Sequence, residues 1–227
     1  MQSQDLNLNA ESLAKCLRDM ASAGLSCGNS GNASVRIIGD DEQASGILIS
    51  PTGYACANIA APDLVFVNDA GEWEESGLRP SSEWFFHLAV YKAFPEAAAI
   101  VHCHSLEATA LACLREPIPS FHYMVCAAGG VDIRCADYAT FGTEALANNL
   151  IAALKDRRAC LMANHGQLTF SDSPQAALDL ALQVEDLAGM YNRAKSIGTP
   201  TLLTQDEMQE VLEKFKDYGV QKKKSLA

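Results

Sequence analysis

Three histidines of this sequence stand where they could hold a metal ion. His102 and His104 lie one residue apart at the end of the apolar run AAAIVHC, whose Ile and Val content is typical of a buried strand. Residues i and i+2 of a strand point to the same face, so the two imidazoles are expected to lie close together. His165 follows a second apolar run and offers a third ligand. Three protein ligands and one open position are typical of catalytic zinc.

Glu83 is a carboxylate that could join these histidines. It follows Ser81 and Ser82 and precedes an apolar, helix-like segment that ends before Pro95. The serines can cap a helix there, and the N–H groups of a first helical turn favour anions. Beside a metal, Glu83 could serve as a fourth ligand, as a general base, or as both in turn. A residue at such a place most often only complements the helix dipole.

Each of these signals is weak when taken alone. His87 lies four residues after Glu83, so a metal pair of the E-x-x-x-H type on one helix is a rival hypothesis. We rank it lower because no second histidine lies at helical spacing from His87. His122 is either a structural histidine or part of a pocket wall.

Length and composition limit the class of protein. The chain has 227 residues, 48% of them hydrophobic and 20% charged, which predicts one soluble globular domain over residues 1–227, with loose tails at 1–8 and 221–227. The net charge of −11 argues against a nucleic-acid partner. Neither a membrane-spanning run nor a signal peptide is evident. The eight cysteines form no CxxC pair, which favours buried thiols in the reducing cytoplasm.

The predicted elements alternate irregularly, which argues against a purely parallel, doubly wound sheet. Phe121, Tyr123 and Val125 alternate as in a strand, so core packing is the simplest interpretation. We expect strands over 35–38, 46–49 and 64–67, and helices over 10–23, 106–114 and 174–197, with Thr143 capping a further helix and Thr204 and Glu207 forming a capping box for a last one.

Several motifs, in order, carry a family resemblance: SGNASVR, ISPTGY, PSSEWFFH, AIVHCHS, IPSFHYMVCAAGG, YATFGTEAL, ANHG and FKDYG. Together they resemble the class II aldolase and aldolase-epimerase superfamily, and within it the L-fuculose-1-phosphate aldolases. The resemblance spans nearly the whole chain, from about Leu13 to Tyr218. It implies one three-layer α/β/α domain around a central, mostly antiparallel mixed sheet. It also implies a C4 homotetramer whose active sites lie between subunits.

The resemblance assigns roles to individual residues. His102, His104 and His165 would bind Zn²⁺ or another divalent ion, and Glu83 would be a ligand of the empty site and then carry a proton during the reaction. Tyr123 and Tyr218 match tyrosines at the aldehyde end of the substrate, with Tyr218 as the proton donor to the aldehyde oxygen. The residues that would hold the substrate phosphate are Gly31, Asn32, Thr52, Gly53, Ser81 and Ser82.

The implied reaction is an aldol cleavage. L-fuculose 1-phosphate, or a related deoxy-ketose 1-phosphate, would give dihydroxyacetone phosphate and an aldehyde. No lysine lies in a motif typical of Schiff-base aldolases, so we expect a metal as Lewis acid. One alternative is a superfamily epimerase or dehydratase acting on a pentulose phosphate, such as L-ribulose-5-phosphate 4-epimerase or methylthioribulose-1-phosphate dehydratase. FHYMVCAAGG stands where the epimerases carry a THAD-like segment, which favours the aldolase.

A second alternative belongs to a different class of protein. The same superfamily includes adducin-head-like domains, which serve assembly and not catalysis. Such a domain is expected to lose its metal ligands. The sequence keeps all three histidines, so we favour the enzyme.

Overall fold

A computed structural model describes residues 3–39 and 44–215 of the chain. The strands are β1 (Asn32–Ile37), β2 (Gly46–Ile49), β3 (Val65–Asn68), β4 (Ala99–Cys103), β5 (Cys135–Ala136), β6 (Ala159–Met162) and β7 (Gly166–Ser171). The α-helices are α1 (Ser3–Ser22), α2 (Trp84–Ala93), α3 (Leu106–Leu114), α4 (Glu144–Leu154), α5 (Pro174–Ile197) and α6 (Gln205–Phe215). Three 3₁₀ helices span Cys56–Asn58, Ala61–Asp63 and Tyr123–Ala128.

The seven strands form one mixed sheet in the order β3-β2-β1-β4-β7-β6-β5. Every neighbouring pair is antiparallel except β5 and β6, which are parallel. The expected mostly antiparallel sheet is therefore confirmed. The strand β4 lies in the middle, paired with β1 on one side and β7 on the other.

Helices cover both faces of the sheet, which confirms the three-layer α/β/α architecture. Ile100 belongs to a core cluster that α2 and α4 share with the sheet. Its neighbour Val101 belongs to a cluster on the opposite face, beneath α1 and α5. This alternation follows from the two-residue period of a strand. It places His102 on the side of α2, where its ring centroid lies 5.6 Å from that of Phe86.

Several helix ends follow the predicted capping. The side chain of Thr143 accepts a hydrogen bond from the Leu146 N–H and so starts α4. Ser173 caps α5 in the same way, ahead of a proline in its first turn. At the start of α6, the Glu207 carboxylate accepts a hydrogen bond from the Thr204 N–H, and the Thr204 hydroxyl accepts one from the Glu207 N–H, which is the predicted capping box.

Two expectations are corrected. The first helix begins at Ser3, so residues 3–8, expected to be loose, are helical; neither glycine nor proline interrupts the chain before Gly24. Tyr123 and Val125 do not lie in a strand, because the His122 ring accepts a hydrogen bond from the Met124 N–H and starts a 3₁₀ helix. Val125 is buried there, whereas Tyr123 is 47% exposed.

Two further findings concern the helices and the cysteines. None of the helices in the described ranges combines the length and apolarity that crossing a bilayer requires. All eight cysteines are described, and all are free thiols.

Ile100 lies in the central strand β4, which pairs with β1 and β7, so the stability of the core should depend strongly on its side chain. Ile100→Ala removes a side chain that is 0% exposed, and we expect it to lower the free energy of unfolding by about 2–5 kcal/mol. Urea denaturation of the metal-free protein measures this change. The matched control is Ile197→Ala, whose side chain is 89% exposed and which should cost less than about 0.5 kcal/mol. Equal losses in the two variants would contradict this view of the core.

Candidate metal centre

The histidine cluster lies at one end of the central strand β4. His102 is in β4 and His104 follows the strand directly, while His165 lies in the turn between β6 and β7. Because β7 pairs with both β4 and β6, this turn comes to the end of β4. Gly166 allows the close approach, since a Cβ atom there would lie 2.4 Å from the carbonyl oxygen of Cys103.

The three imidazoles face one point. The Nε2 atoms of His102 and His104 are 3.1 Å apart. The ring centroids of His102 and His165 are 4.8 Å apart, and those of His104 and His165 are 4.9 Å apart. One ligand nitrogen from each ring lies within 4.8 Å of the other two. The structure therefore brings the three predicted ligands together.

Glu83 completes the group. Its Oε2 lies 3.2 Å from the His102 Nε2, and its Oε1 lies 3.2 Å from the His165 Nε2. Glu83 is the residue before α2 and not part of its first turn, and its carboxylate does not cap that helix. The hydroxyl of Ser81 instead accepts a hydrogen bond from the Glu83 N–H, at 3.3 Å.

A second layer of contacts orients the His102 ring. The His102 Nδ1 lies 2.8 Å from the carbonyl oxygen of Gln167, so Nδ1 carries the hydrogen and donates it. Once the ring gives up its other proton, the lone pair is left on Nε2 and faces the cluster, which is the tautomer a metal ligand needs. The Gln167 amide also donates to the hydroxyl of Ser105, at 2.8 Å, and so ties β7 to the residue after His104.

Electrostatics link Glu83 to the histidines. Burial raises the pKa of the Glu83 carboxyl, but the charge of His102 and hydrogen bonds from His102 and His165 bring it below its usual range. Burial also opposes a charge on His102, yet the nearby Glu83 raises the pKa of that ring. Burial, followed by repulsion from His102 and His165, lowers the pKa of His104 to about 4. The carboxylate thus stays ionised in the centre of the group.

His87 does not belong to this group, so the rival E-x-x-x-H pair is not formed. Both ring nitrogens are occupied: Nε2 lies 2.6 Å from the Asn32 Oδ1, and Nδ1 lies 2.7 Å from the Ser34 hydroxyl. The side chain is fully buried. Burial, with a smaller contribution from His102, lowers the pKa of His87 to about 3, so the ring is neutral near pH 7.

Glu83, His104 and His165 line a cleft of about 230 Å³. A larger groove, of about 650 Å³, runs along the edge strand β3, but no histidine lines it. The cleft brings together all six predicted phosphate contacts with Glu83, His104 and His165, and its lining among the described residues contains neither lysine nor arginine. The remaining lining residues are Asn29, Ser30, Pro51 and Phe141.

The predicted phosphate contacts differ in what they offer. The backbone N–H of Thr52 donates to the carbonyl oxygen of Arg79, so Thr52 could donate to a ligand only through its hydroxyl. No acceptor within the described ranges takes the N–H of Gly53 or Ser82. Gly31 has φ +79°, and a Cβ there would lie 2.9 Å from the carbonyl oxygen of His102, so only glycine fits. These groups suit an anion held by neutral donors.

One residue of the cleft was missed in the sequence, and two residues proposed for the site are not among the described residues that line it. Phe141 lines the cleft and is 61% exposed; its position in the loop YATFG, before the cap Thr143, was the available signal. Tyr123 does not line the cleft. Tyr218 lies outside the described residues, so its role stays a prediction.

The donor set fits a divalent cation. Imidazole and carboxylate donors suit zinc and several other divalent metals, and three nitrogens with one oxygen are a known catalytic combination. The hydrogen bond from the His102 Nδ1 to the Gln167 carbonyl directs Nε2 toward the cluster, and the Glu83 carboxylate is ionised. Charge and geometry therefore both favour a cation at the centre of the group.

Comparisons with known proteins identify the family of this chain. The family "Class II Aldolase and Adducin N-terminal domain" matches residues 11–192. A 5-methylthioribulose-1-phosphate/5-deoxyribulose-1-phosphate aldolase of Rhodospirillum rubrum is 46% identical over 207 residues, covering 91% of this chain and 90% of the relative. An L-fuculose phosphate aldolase of Escherichia coli K12 is 43% identical over 206 residues, covering 90% and 92%.

A solved structure gives the same result. An L-fuculose 1-phosphate aldolase superposes with a TM-score of 0.85 at 39% identity, covering 95% of this chain and 98% of that chain. The chain therefore belongs to the class II aldolase family. It is an enzyme of the lyase class, an aldolase, in a family of metal-dependent enzymes.

The cluster geometry makes His104 necessary for metal binding. We expect His104→Ala to lower the divalent-metal content of purified, dialysed protein from about one ion per chain to near zero, because two imidazoles bind far more weakly than three. Elemental analysis measures this content. The control is His122→Ala, since the His122 ring only caps a 3₁₀ helix and should leave the content unchanged. Full metal content in His104→Ala would contradict the site.

The buried neutral His87 predicts a pH dependence of stability. Its pKa is about 3 in the folded chain and 6.5 in the exposed state, so between these values unfolding takes up a proton. The free energy of unfolding should therefore fall with decreasing pH, by at most about 1.4 kcal/mol per pH unit from this group. Denaturation of metal-free protein across that range should show a shallower slope for His87→Gln than for the wild type. Parallel profiles would mean that His87 is charged when folded.

Proposed function

We propose that this chain is a zinc-dependent aldolase that cleaves a deoxy-ketose 1-phosphate to dihydroxyacetone phosphate and an aldehyde. One observation carries the proposal: His104, His165 and Glu83 line the same cleft as the turns at Gly31 and Gly53, whose backbone groups suit an anion. A sugar phosphate has both parts that such a cleft needs, an anionic end and a polar carbon chain. We also propose that the enzyme acts in the cytoplasm.

The phosphate end is recognised by neutral groups. Gly53, Ser82 and Thr52 line the cleft, and we propose that the first two bind the phosphate through their N–H groups and Thr52 through its hydroxyl. A net charge of −11 does not prevent this, because a local group of donors can hold an anion against the overall field. Fixing the phosphate orients the carbon chain toward Glu83, which converts remote binding energy into correct placement of the reacting carbons.

Glu83 carries the proton. Cleavage between the third and fourth carbons forms the aldehyde as the hydroxyl group on the fourth carbon loses its proton. It leaves an enediolate, which must gain a proton on the third carbon to become dihydroxyacetone phosphate. The Glu83 carboxylate borders the cleft and can hold a proton for this step. A zinc ion bound by His102, His104 and His165 would supply Lewis-acid stabilisation of negative charge.

The aldehyde end is proposed to meet aromatic residues. Phe141 lies at the exposed side of the cleft. Tyr123 and Tyr218 are proposed to reach this end from a neighbouring subunit of a C4 tetramer. This is consistent with the exposure of Tyr123 away from its own cleft.

The names of the relatives narrow the substrate. One is named for 5-methylthioribulose 1-phosphate and 5-deoxyribulose 1-phosphate, and the other for L-fuculose phosphate. Both names are of aldolases, which favours cleavage over epimerisation or dehydration. The complete histidine cluster disfavours a non-catalytic assembly domain. The proposed substrates are therefore ketose 1-phosphates whose last carbon carries no hydroxyl group.

A panel of ketose 1-phosphates and 5-phosphates tests the proposal, with released triose phosphate as the measurement. We expect turnover of L-fuculose 1-phosphate or 5-deoxyribulose 1-phosphate, its loss on chelation, and its return with added zinc. Glu83→Gln should lower kcat by about 10²–10⁴-fold, because the amide cannot carry the proton. Glu11→Gln, at an exposed position of α1, is the matched control.

Two outcomes would contradict the proposal. Full activity after removal of the metal would exclude the metal role. Conversion of a pentulose 5-phosphate to its epimer, without release of triose phosphate, would identify the chain as an epimerase.

A further inference from the structure

A chain of buried side chains leads from the core to Glu83. Its members come from β1 and α2, and each is at most 8% exposed. The contacts are Tyr91 hydroxyl to Ser34 hydroxyl at 2.9 Å, Ser34 hydroxyl to His87 Nδ1 at 2.7 Å, His87 Nε2 to Asn32 Oδ1 at 2.6 Å, and Asn32 Nδ2 to Glu83 Oε2 at 2.8 Å.

The direction of each hydrogen bond follows from Glu83. An ionised carboxylate only accepts, so Asn32 must direct its NH₂ group to Glu83 and its Oδ1 to His87. The His87 Nε2 must then carry the hydrogen, and the bare Nδ1 must accept from the Ser34 hydroxyl. The Tyr91 hydroxyl can donate to the Ser34 carbonyl oxygen, at 3.0 Å, or to its hydroxyl. The chain therefore has one consistent polarity.

We propose that His87 is a positioning residue, which holds the Asn32 amide so that it fixes the Glu83 carboxylate between His102 and His165. The inference rests on the proposed function, in which Glu83 carries the proton and neighbours the metal. It also gives Asn32 a role different from the phosphate contact expected from the sequence. Both ends of its amide are engaged within the protein.

Asn32 cannot fix this orientation by itself. An amide rotated by 180° has nearly the same shape, but it would direct Oδ1 at the carboxylate oxygen now 2.8 Å from Nδ2. The His87 tautomer excludes that rotation, because its Nε2–H needs an acceptor. Ser34 in turn selects the tautomer by donating to Nδ1. Backbone pairing of Asn32 with His102 fixes how far the Asn32 side chain lies from the metal centre, and His87 fixes which end of its amide faces Glu83.

Two amide substitutions separate this role from simple packing. The His87→Gln variant places an NH₂ group where Nε2–H stands, whereas His87→Asn reaches only the position of Nδ1. We expect His87→Asn to weaken zinc binding and lower kcat by about 10–100-fold, with KM within about threefold, while His87→Gln stays near the wild type. Competition with a chelator gives the zinc dissociation constant, and thermal unfolding of the metal-free proteins compares their stability.

A second measurement isolates the path through Glu83. In a Glu83→Gln background, the difference in zinc affinity between His87→Gln and His87→Asn should disappear, because the two residues act as one unit. An undiminished difference in that background would overturn the inference. So would equal losses in the two His87 variants. If His87→Asn does not fold, Ser34→Ala takes its place. This variant keeps the His87 ring but removes the hydroxyl that selects the tautomer of the ring. Unchanged zinc affinity in Ser34→Ala would overturn the inference.

The zinc measurements also separate this inference from the proposed function. Absence of turnover on every ketose phosphate would refute the aldolase proposal. The zinc affinities of the His87 variants would still decide whether His87 positions Glu83.

Discussion

The site depends on one electrostatic arrangement, a buried carboxylate held between two imidazoles. Glu83 lies 3.2 Å from the Nε2 atoms of both His102 and His165, and these residues come from three separate parts of the chain. Such a group is unfavourable without mutual compensation, because burial penalises each charge. The Glu83 carboxylate is compensated by the imidazoles and by the Asn32 amide. A bound cation would be stabilised by the same carboxylate.

The sheet supplies the geometry that this arrangement needs. The strand β4 pairs in antiparallel fashion on both sides, so His102 lies between Asn32 of β1 and Leu168 of β7. The end of β4 is therefore fixed from two directions. Apolar clusters on both faces of the sheet then hold the three layers together. Side chains in such a core have few alternative rotamers, which keeps distances in the site short and constant. The cleft therefore combines a rigid cation site with turns of exposed backbone donors.

Local sequence patterns predicted most elements but failed where a single contact decided the outcome. The strands β1, β2 and β4, the capping of α4, α5 and α6, and the helix α3 follow from apolar period and cap residues, which act over a few positions. The segment around Tyr123 has the alternation of a strand, yet the His122 ring caps a 3₁₀ helix there. Residues 3–8 are mostly polar, which suggested a loose end, although they contain neither glycine nor proline to break a helix.

The sequence by itself determined the family, the two-residue spacing of His102 and His104, and their shared strand face, because these are properties of consecutive residues. Only the tertiary structure decided that His165 and Glu83 reach the same point. The strands β7 and β4 pair although they are far apart in the sequence, with a separation of 65 between His102 and Gln167. The tertiary structure also decided that His87 is not a metal ligand. His87 has the spacing of a metal pair, but its nitrogens are taken by Asn32 and Ser34, and only folding brings those partners from β1 to α2.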